Sequence, residues 1–206
     1  MAKKIILGLL VILHSCREGP FPDYEGNEAK DSKSSPVYFQ GSFQNTYGVA
    51  RGHYLLWIRN NQFYARVIFS KGPRVGRIHQ YIHVSQYCPE TEHDLNFDRR
   101  ISLAEAVASS GRILIPLDGN LSSQLEGFEW FPSSDERGKY YYARSANLEN
   151  LLKDLEFVDN IERDYFTKLG PEEPLALHKR SLMIYKENGE GIWAIACAPI
   201  QVRSFD

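Results

Sequence analysis

Neither sign of charge predominates in this chain: 24 Lys and Arg residues stand against 26 Asp and Glu among 206, a formal net charge of −2. No basic field is available to grip a nucleic-acid backbone. Long apolar runs are missing too. The run at residues 5–13 has nine members, and a membrane-spanning helix needs roughly 20. There is no nucleophile elbow, phosphate-binding glycine loop, H-E-x-x-H or C-x-x-C pattern, no internal repeat and no coiled-coil heptad. These absences take away the local signatures of catalysis; they leave open a catalytic group assembled from distant residues. Cysteine is scarce, with only Cys16, Cys88 and Cys197.

The N-terminus reads as an address. Lys3 and Lys4 form a positive start, residues 5–13 are apolar, and Leu13-His14-Ser15-Cys16 follows. This order predicts a signal peptide over 1–15. Its end resembles the lipobox of bacterial lipoproteins, with His14 in the place usually held by a small residue. The resemblance implies lipidation of Cys16 and a lipid-anchored place in the cell envelope, at the outer membrane or cell surface. The alternatives are a secretory signal with an incidental Cys16, or a buried cytosolic strand. Residues 16–36 are rich in Gly, Pro, Ser and charge and predict a flexible tether. Twenty such residues reach roughly 25 Å. Without Lys3 and Lys4 the charges become 22 basic against 26 acidic, a net −4. With Cys16 assigned to lipid, Cys88 and Cys197 remain, each on the apolar side of an expected strand. In an exported protein they can form a disulfide, or they can be two separate buried thiols.

Residues 37–206 suffice for one well-packed domain. Two β-rich runs flank Asn60-Asn61, which tolerates the positive φ of a type I′ turn. A two-residue loop pairs Arg59 with Gln62 and, working outward, Ile58 with Phe63, Trp57 with Tyr64, Leu56 with Ala65, Leu55 with Arg66 and Tyr54 with Val67. The face formed by Tyr54, Leu56, Ile58, Phe63, Ala65 and Val67 is apolar or aromatic and belongs to a core. The opposite face mixes His53, Leu55, Trp57, Arg59, Tyr64, Arg66 and Ile68, with Arg side chains expected on aromatic rings.

Residues 77–88 alternate as a strand, with Ile78, Ile82, Val84 and Cys88 facing one way and His79, Tyr81 and His83 the other. A short helix is expected over 102–109, stopped by Gly111, and a strand over 112–117. Residues 128–131 and 139–144 suggest a hairpin. A core-facing helix is expected from Ser145, with Leu148, Leu151, Leu152 and Leu155 on one stripe and Glu149 and Lys153 outside. Residues 182–186 and 192–198 close the chain as strands around Asn188-Gly189. Many short strands between turn residues predict a mostly β (α+β) domain, an antiparallel β-sandwich with helical pieces inserted.

One segment names a ligand. Asp94-Leu-Asn96-Phe-Asp98-Arg-Arg100-Ile-Ser102-Leu-Ala-Glu105 puts oxygen-bearing side chains at places one, three, five, nine and twelve, the spacing of an EF-hand calcium loop. Calcium takes six to eight hard oxygens. By position Asp94, Asn96 and Asp98 offer side chains, Arg100 its carbonyl, Ser102 a water-mediated contact and Glu105 a bidentate carboxylate. Ile101 holds the eighth place, where such loops put an inward-packing apolar residue. Place six, normally Gly, is Arg99, and a left-handed conformation there costs a non-Gly residue roughly 1 to 2 kcal/mol. The same residues also make ordinary turns, with Ser102-x-x-Glu105 a helix capping box.

The order of these landmarks resembles secreted and lipid-anchored bacterial proteins similar to chordin-type (CHRD) domains, β-sandwiches distantly similar to the copper/zinc superoxide dismutase fold. It rests on the hairpin at 52–69, then Ile78-His79-Gln80-Tyr81-Ile82-His83-Val84, then Cys88-Pro89, then the 94–105 loop, and finally Ala194-Ile195-Ala196-Cys197-Ala198-Pro199-Ile200. The resemblance implies a Cys88 to Cys197 bridge. Such domains often carry His-x-His in that strand, and here Tyr81 replaces the first histidine. His79 and His83 lie about 13 Å apart by strand rise, too far to chelate one ion, and read as surface or hydrogen-bonded residues. The expected function is a non-enzymatic envelope lipoprotein with a calcium-binding sandwich and a protein or glycan partner. Two other classes are a metal-dependent hydrolase or redox enzyme using His79, His83, Glu92 and His93, and a periplasmic toxin inhibitor. The 26 aromatic residues, 3 Trp, 12 Tyr and 11 Phe, suit a binding surface in any of these.

Overall fold

The computed structural model describes residues 36–45, 50–74, 76–121, 131–158 and 175–203, all within the unit Lys33–Asp206. The signal peptide, Cys16 and the tether up to residue 35 lie outside the described residues. No helix among the described residues is long and apolar enough to cross a membrane.

Two open antiparallel sheets pack on one another. The first orders β1 (Val37–Ser42), β3 (Arg51–Arg59), β4 (Gln62–Lys71) and β8 (Tyr140–Asn147) side by side. The second orders β2 (Gln44–Asn45), β10 (Gly191–Pro199), β9 (Ser181–Asn188), β5 (Gly76–His83) and β6 (Ile113–Pro116), with β7 (Ser133–Ser134) paired to the start of β5. The expected antiparallel β-sandwich with inserted helices is thus the architecture.

The β3–β4 hairpin has the register read from its turn, Arg59 opposite Gln62 through Tyr54 opposite Val67. Asn60 and Asn61 take φ of 50° and 57°, the left-handed conformation that asparagine tolerates. Tyr54, Leu56, Phe63, Ala65 and Val67 are all but completely buried and join Ile78, Ile82, Leu182, Ile184, Ala196 and Ala198 of the second sheet in one core. Each fully buried Leu, Val or Phe contributes roughly 1.5 to 3 kcal/mol. On the outer face, Trp57 and Tyr64 stack with ring centroids 4.7 Å apart and the Arg66 guanidinium lies 5.8 Å from the Trp57 ring.

Buried tyrosines tie the two sheets. The Tyr54 hydroxyl donates to the Pro199 carbonyl at 2.9 Å and accepts from the Gln201 amide at 3.1 Å; burial pushes its pKa up to about 12. The Tyr142 hydroxyl donates to the Asp118 carbonyl at 2.9 Å. Gly41 lies opposite Tyr54, and a Cβ there would sit 2.7 Å from the tyrosine oxygen. No side chain fits at that crossing.

Several boundaries differ from the sequence expectation. Residues 145–147 continue β8, because β4 keeps pairing as far as Gln62 opposite Asn147, so helix α2 is Leu148–Val158. Its stripe is as expected: Leu148, Leu151 and Leu155 are buried, and Lys153 donates to Glu149 at 2.7 Å. Residues 139–144 pair with β4; of their expected hairpin partner 128–131, residues 128–130 lie outside the described residues and Phe131 is not in a strand. The closing hairpin turns at Gly189-Glu190, one residue later than expected. Val37–Ser42, for which the sequence predicts no element, is the edge strand beside β3.

The second sheet is covered on its outer side as well. Residues 84–112 leave β5, form a single 3-10 turn (Thr91–His93) and helix α1 (Leu103–Ser110), and return as β6. Under this excursion lies a second core of Tyr81, Ile101, Ala106, Met183, Tyr185, Ala194 and Cys197. A bulge between Ala194 and Ala196 resets the alternation of β10 and leaves Cys197 facing the excursion. Cys88 and Cys197 are bridged, with Cα atoms 5.6 Å apart across 109 residues of chain. Cys88 itself lies beyond the strand, since β5 stops at His83. Replacing both cysteines by alanine should lower stability by about 2 to 5 kcal/mol in urea unfolding. Hydrogen exchange should accelerate mainly in residues 84–111, and acceleration spread evenly over both sheets would contradict this role for the bridge.

Candidate functional site

The 94–105 loop is wound by its own side chains. The Asp94 carboxylate accepts the Asp98 amide at 3.1 Å on Oδ1 and the Arg99 amide at 2.7 Å on Oδ2. The Asn96 carbonyl oxygen takes the same Asp98 amide at 3.0 Å, and Asp98 Oδ1 takes the Arg100 amide at 2.8 Å. Asn96 Nδ2 donates to Asp98 Oδ2 at 3.2 Å. Three successive amides, 98 to 100, are thus satisfied inside the loop. The bend needs left-handed backbone at two places: Arg99, φ 65°, in the sixth place where Gly is usual, and Phe97, φ 60°. The loop spacing predicts the first and not the second.

Glu105 closes the loop. Its Oε1 accepts the Leu95 amide at 2.9 Å and, more weakly, the Asn96 amide at 3.4 Å; its Oε2 accepts the Ser102 amide and hydroxyl, both at 2.8 Å. The Ser102 hydroxyl in turn accepts the Glu105 amide at 3.3 Å, completing the capping box at the start of α1. Desolvation raises the Glu105 pKa, but the bonds from Ser102, Leu95 and Asn96 outweigh it, so the carboxyl titrates below its ordinary range. One carboxylate therefore holds both ends of the twelve-residue loop.

The far side of the loop is docked on the sheet edge. Ile101 is fully buried, its carbonyl accepts the Ala194 amide at 2.8 Å, and Ser102 bridges Trp193. Arg100 lies over the Trp193 ring at 4.7 Å and pairs with Glu190 at 2.8 Å.

As a fit to calcium the loop divides into two parts. Asp94, Asn96 and Asp98 direct oxygens at the same small set of amides, so these three are gathered. Glu105 is turned to the loop ends and helix start, and among the described residues no group of three His, Cys, Asp or Glu side chains is gathered to hold a metal ion.

Of the two expected positions, surface or hydrogen-bonded, His79 and His83 take the hydrogen-bonded one. His79 and His83 are buried on β5, because the excursion covers that face. His83 Nδ1 donates to the Gly111 carbonyl at 2.8 Å, which leaves Nε2 to accept the Tyr185 hydroxyl at 2.8 Å. This is the neutral tautomer, inferred from its partners. Desolvation holds its pKa down to about 4, against a smaller opposing effect of the Gly111 bond. His79 Nε2 donates to Glu187 at 2.9 Å and Nδ1 accepts the Tyr81 hydroxyl at 3.0 Å. His93 stands on the 3-10 turn, its Nδ1 accepting the Glu90 amide at 3.0 Å. The three rings form no common ligand set. Tyr185 and Glu187, missed in the sequence, were visible only as the face of 181–188 opposite Leu182 and Ile184.

A scan against protein-family models and searches of curated proteins and solved structures find no match to the chain. Roles here rest on the chemistry of the residues.

Because His83 protonates near pH 4 when folded and near 6.5 when unfolded, the unfolded chain binds the extra proton first. The stabilisation from its neutral form is complete above about pH 6.5 and is lost as pH falls towards 4, roughly 3 kcal/mol in all. Urea unfolding from pH 7 to 4 should therefore show a steeper loss for the native protein than for His83→Gln, which does not titrate. Parallel curves would rule out His83 as the source.

Proposed function

We propose that the protein is an exported, lipid-anchored envelope protein whose β-sandwich is a non-enzymatic binding or structural module carrying a calcium loop at residues 94–105. The observation that carries the calcium reading is the winding of the loop: Phe97 and Arg99 take left-handed backbone while Asp94, Asn96 and Asp98 gather oxygens on the amides of residues 98 to 100. Turn formation alone does not require a bulky residue to be left-handed twice in three positions. Calcium would be held by Asp94, Asn96, Asp98 and the Arg100 carbonyl, with Ser102 through water and Glu105 exchanging its amide bonds for the ion. Loops of this kind in extracellular modules bind at roughly 0.1 to 1 mM.

The address rests on the sequence of residues 1–36, and the disulfide at Cys88 and Cys197 agrees with an oxidising compartment. Kinship with chordin-type domains is part of the same proposal, supported by the shared sandwich architecture and the order of landmarks. An enzyme using His79, His83 and His93 gains no support from their bonds, and no observation favours a toxin inhibitor.

Calorimetry on the mature protein tests the calcium site. Heat should appear at millimolar calcium in the native protein and vanish in Asp98→Asn, which keeps an oxygen for the Arg100 amide but loses the charge. At ten times the dissociation constant the ion should add about 1.4 kcal/mol to stability. Equal heats in the two proteins, or none in either, would refute the site.

A further inference from the structure

Charge is divided unevenly over the molecule. Strands β1, β3, β4 and β8 contain no Asp or Glu but carry Arg51, Arg59, Arg66, Lys71 and Arg144, in a chain whose acidic residues outnumber its basic ones. The first sheet is therefore locally positive. On its outer face the register sets Tyr38, Trp57 and Tyr64 in one row across three strands, with Ser145, a small residue, next to Tyr64 on the fourth. Trp57 and Tyr64 stack on one another. Arg59 and Gln62 lie opposite each other on one side of this aromatic row, and Gln40 and Arg66 lie in the row on the other side, flanking Leu55. The two arginines are about 13 Å apart along the strands. Arg59 is half-buried, yet it pairs with no carboxylate among the described residues. A cation drawn partly out of water without a counter-ion is costly, and an anion brought to it relieves that cost.

We propose that the outer face of the first sheet binds an acidic polysaccharide, a chain of pyranose rings that carry carboxylates. The inference rests on the reading of the sandwich as a binding module and names its partner. It makes no use of the calcium loop, which is seated on the second sheet. Each part of the face matches a part of such a polymer: aromatic rings pack on the C–H faces of sugars, the Gln40 and Gln62 amides offer hydrogen bonds to hydroxyls, and guanidiniums hold carboxylates through paired N–H bonds. The absence of acidic side chains from these strands removes the repulsion that a polyanion meets elsewhere on the chain. A nucleic acid fits less well, because its binding depends on many cations set along a phosphate backbone, and two guanidiniums flank this stack.

The test is calorimetry of the whole mature protein with polygalacturonate in EDTA, which keeps calcium from both the loop and the polymer. Polygalacturonate should bind, and its full methyl ester, which keeps the rings and loses the charge, should bind at least tenfold more weakly. Arg59→Gln and Arg66→Gln should each lower the affinity about tenfold, the loss of one charge-assisted contact. Arg59→Gln should do so at an unchanged or higher melting temperature, since it removes a half-buried cation that no carboxylate offsets. A melting temperature that falls together with the affinity would mark Arg59 as structural and overturn its role. Polyglutamate or single-stranded DNA bound as tightly as polygalacturonate would show a general anion surface and overturn the glycan. No binding, equal binding of the methyl ester, or binding that ignores both substitutions overturns the inference outright. The calcium heat is read without polymer, so failure of the glycan leaves the calcium site standing, and failure of the calcium site leaves this face untouched.

Discussion

Strand β5 is buried on both faces, and the rest of the molecule is arranged around that constraint. On one side Ile78 and Ile82 enter the core between the sheets; on the other His79, Tyr81 and His83 carry polar atoms that need partners once water is removed. Glu187, Tyr185 and the Gly111 carbonyl supply those partners. The excursion over 84–112 supplies the cover. It is held at Cys88 by the disulfide, at Ile101 by the sheet edge and at Gly111 by His83. The 94–105 loop lies between the first and third ties and contains the second, which gives a short segment a fixed base on a rigid sheet.

That base bears on what the loop can do. In an isolated turn, left-handed Phe97 and Arg99 would relax; here Glu105 holds the loop ends together and Ile101 is locked against Ala194. The strained winding is therefore maintained by contacts outside the strained residues. On the proposed calcium reading, an ion would meet three oxygen ligands already close together and would have mainly to recruit Glu105. Preorganisation of this kind lowers the ordering entropy that binding must overcome.

The fold was legible where local chemistry decides it. Asn60-Asn61 sets the register of a whole hairpin because a two-residue turn allows one pairing, and the Leu148, Leu151 and Leu155 stripe needs only a period of 3.6. Ser102 and Glu105 announced the start of α1. What stayed hidden depends on distant partners. Residues 145–147 have no reason in their own sequence to remain in a strand until β4 is seen beside them. Val37–Ser42 holds only the short β-rich run Val37-Tyr38-Phe39 and becomes a strand through β3. For His79 and His83 the strand pattern left surface and hydrogen-bonded positions equally open, because the cover that buries them comes from the residues that follow. In the candidate site the spacing of oxygens was readable, and so was the demand placed on Arg99. The second left-handed residue, Phe97, and the turning of Glu105 to the loop ends were not, since both follow from how the loop closes.

The central claim is that residues 94–105 form a calcium loop seated on the covered face of the second sheet. Hydrogen exchange measured by mass spectrometry, with and without millimolar calcium, addresses it most directly. The account predicts slower exchange confined to peptides spanning 94–105 and the contacting segment around Trp193 and Ala194, with the β3–β4 hairpin unchanged. Identical exchange throughout, or slowing spread evenly over the whole domain, would contradict it.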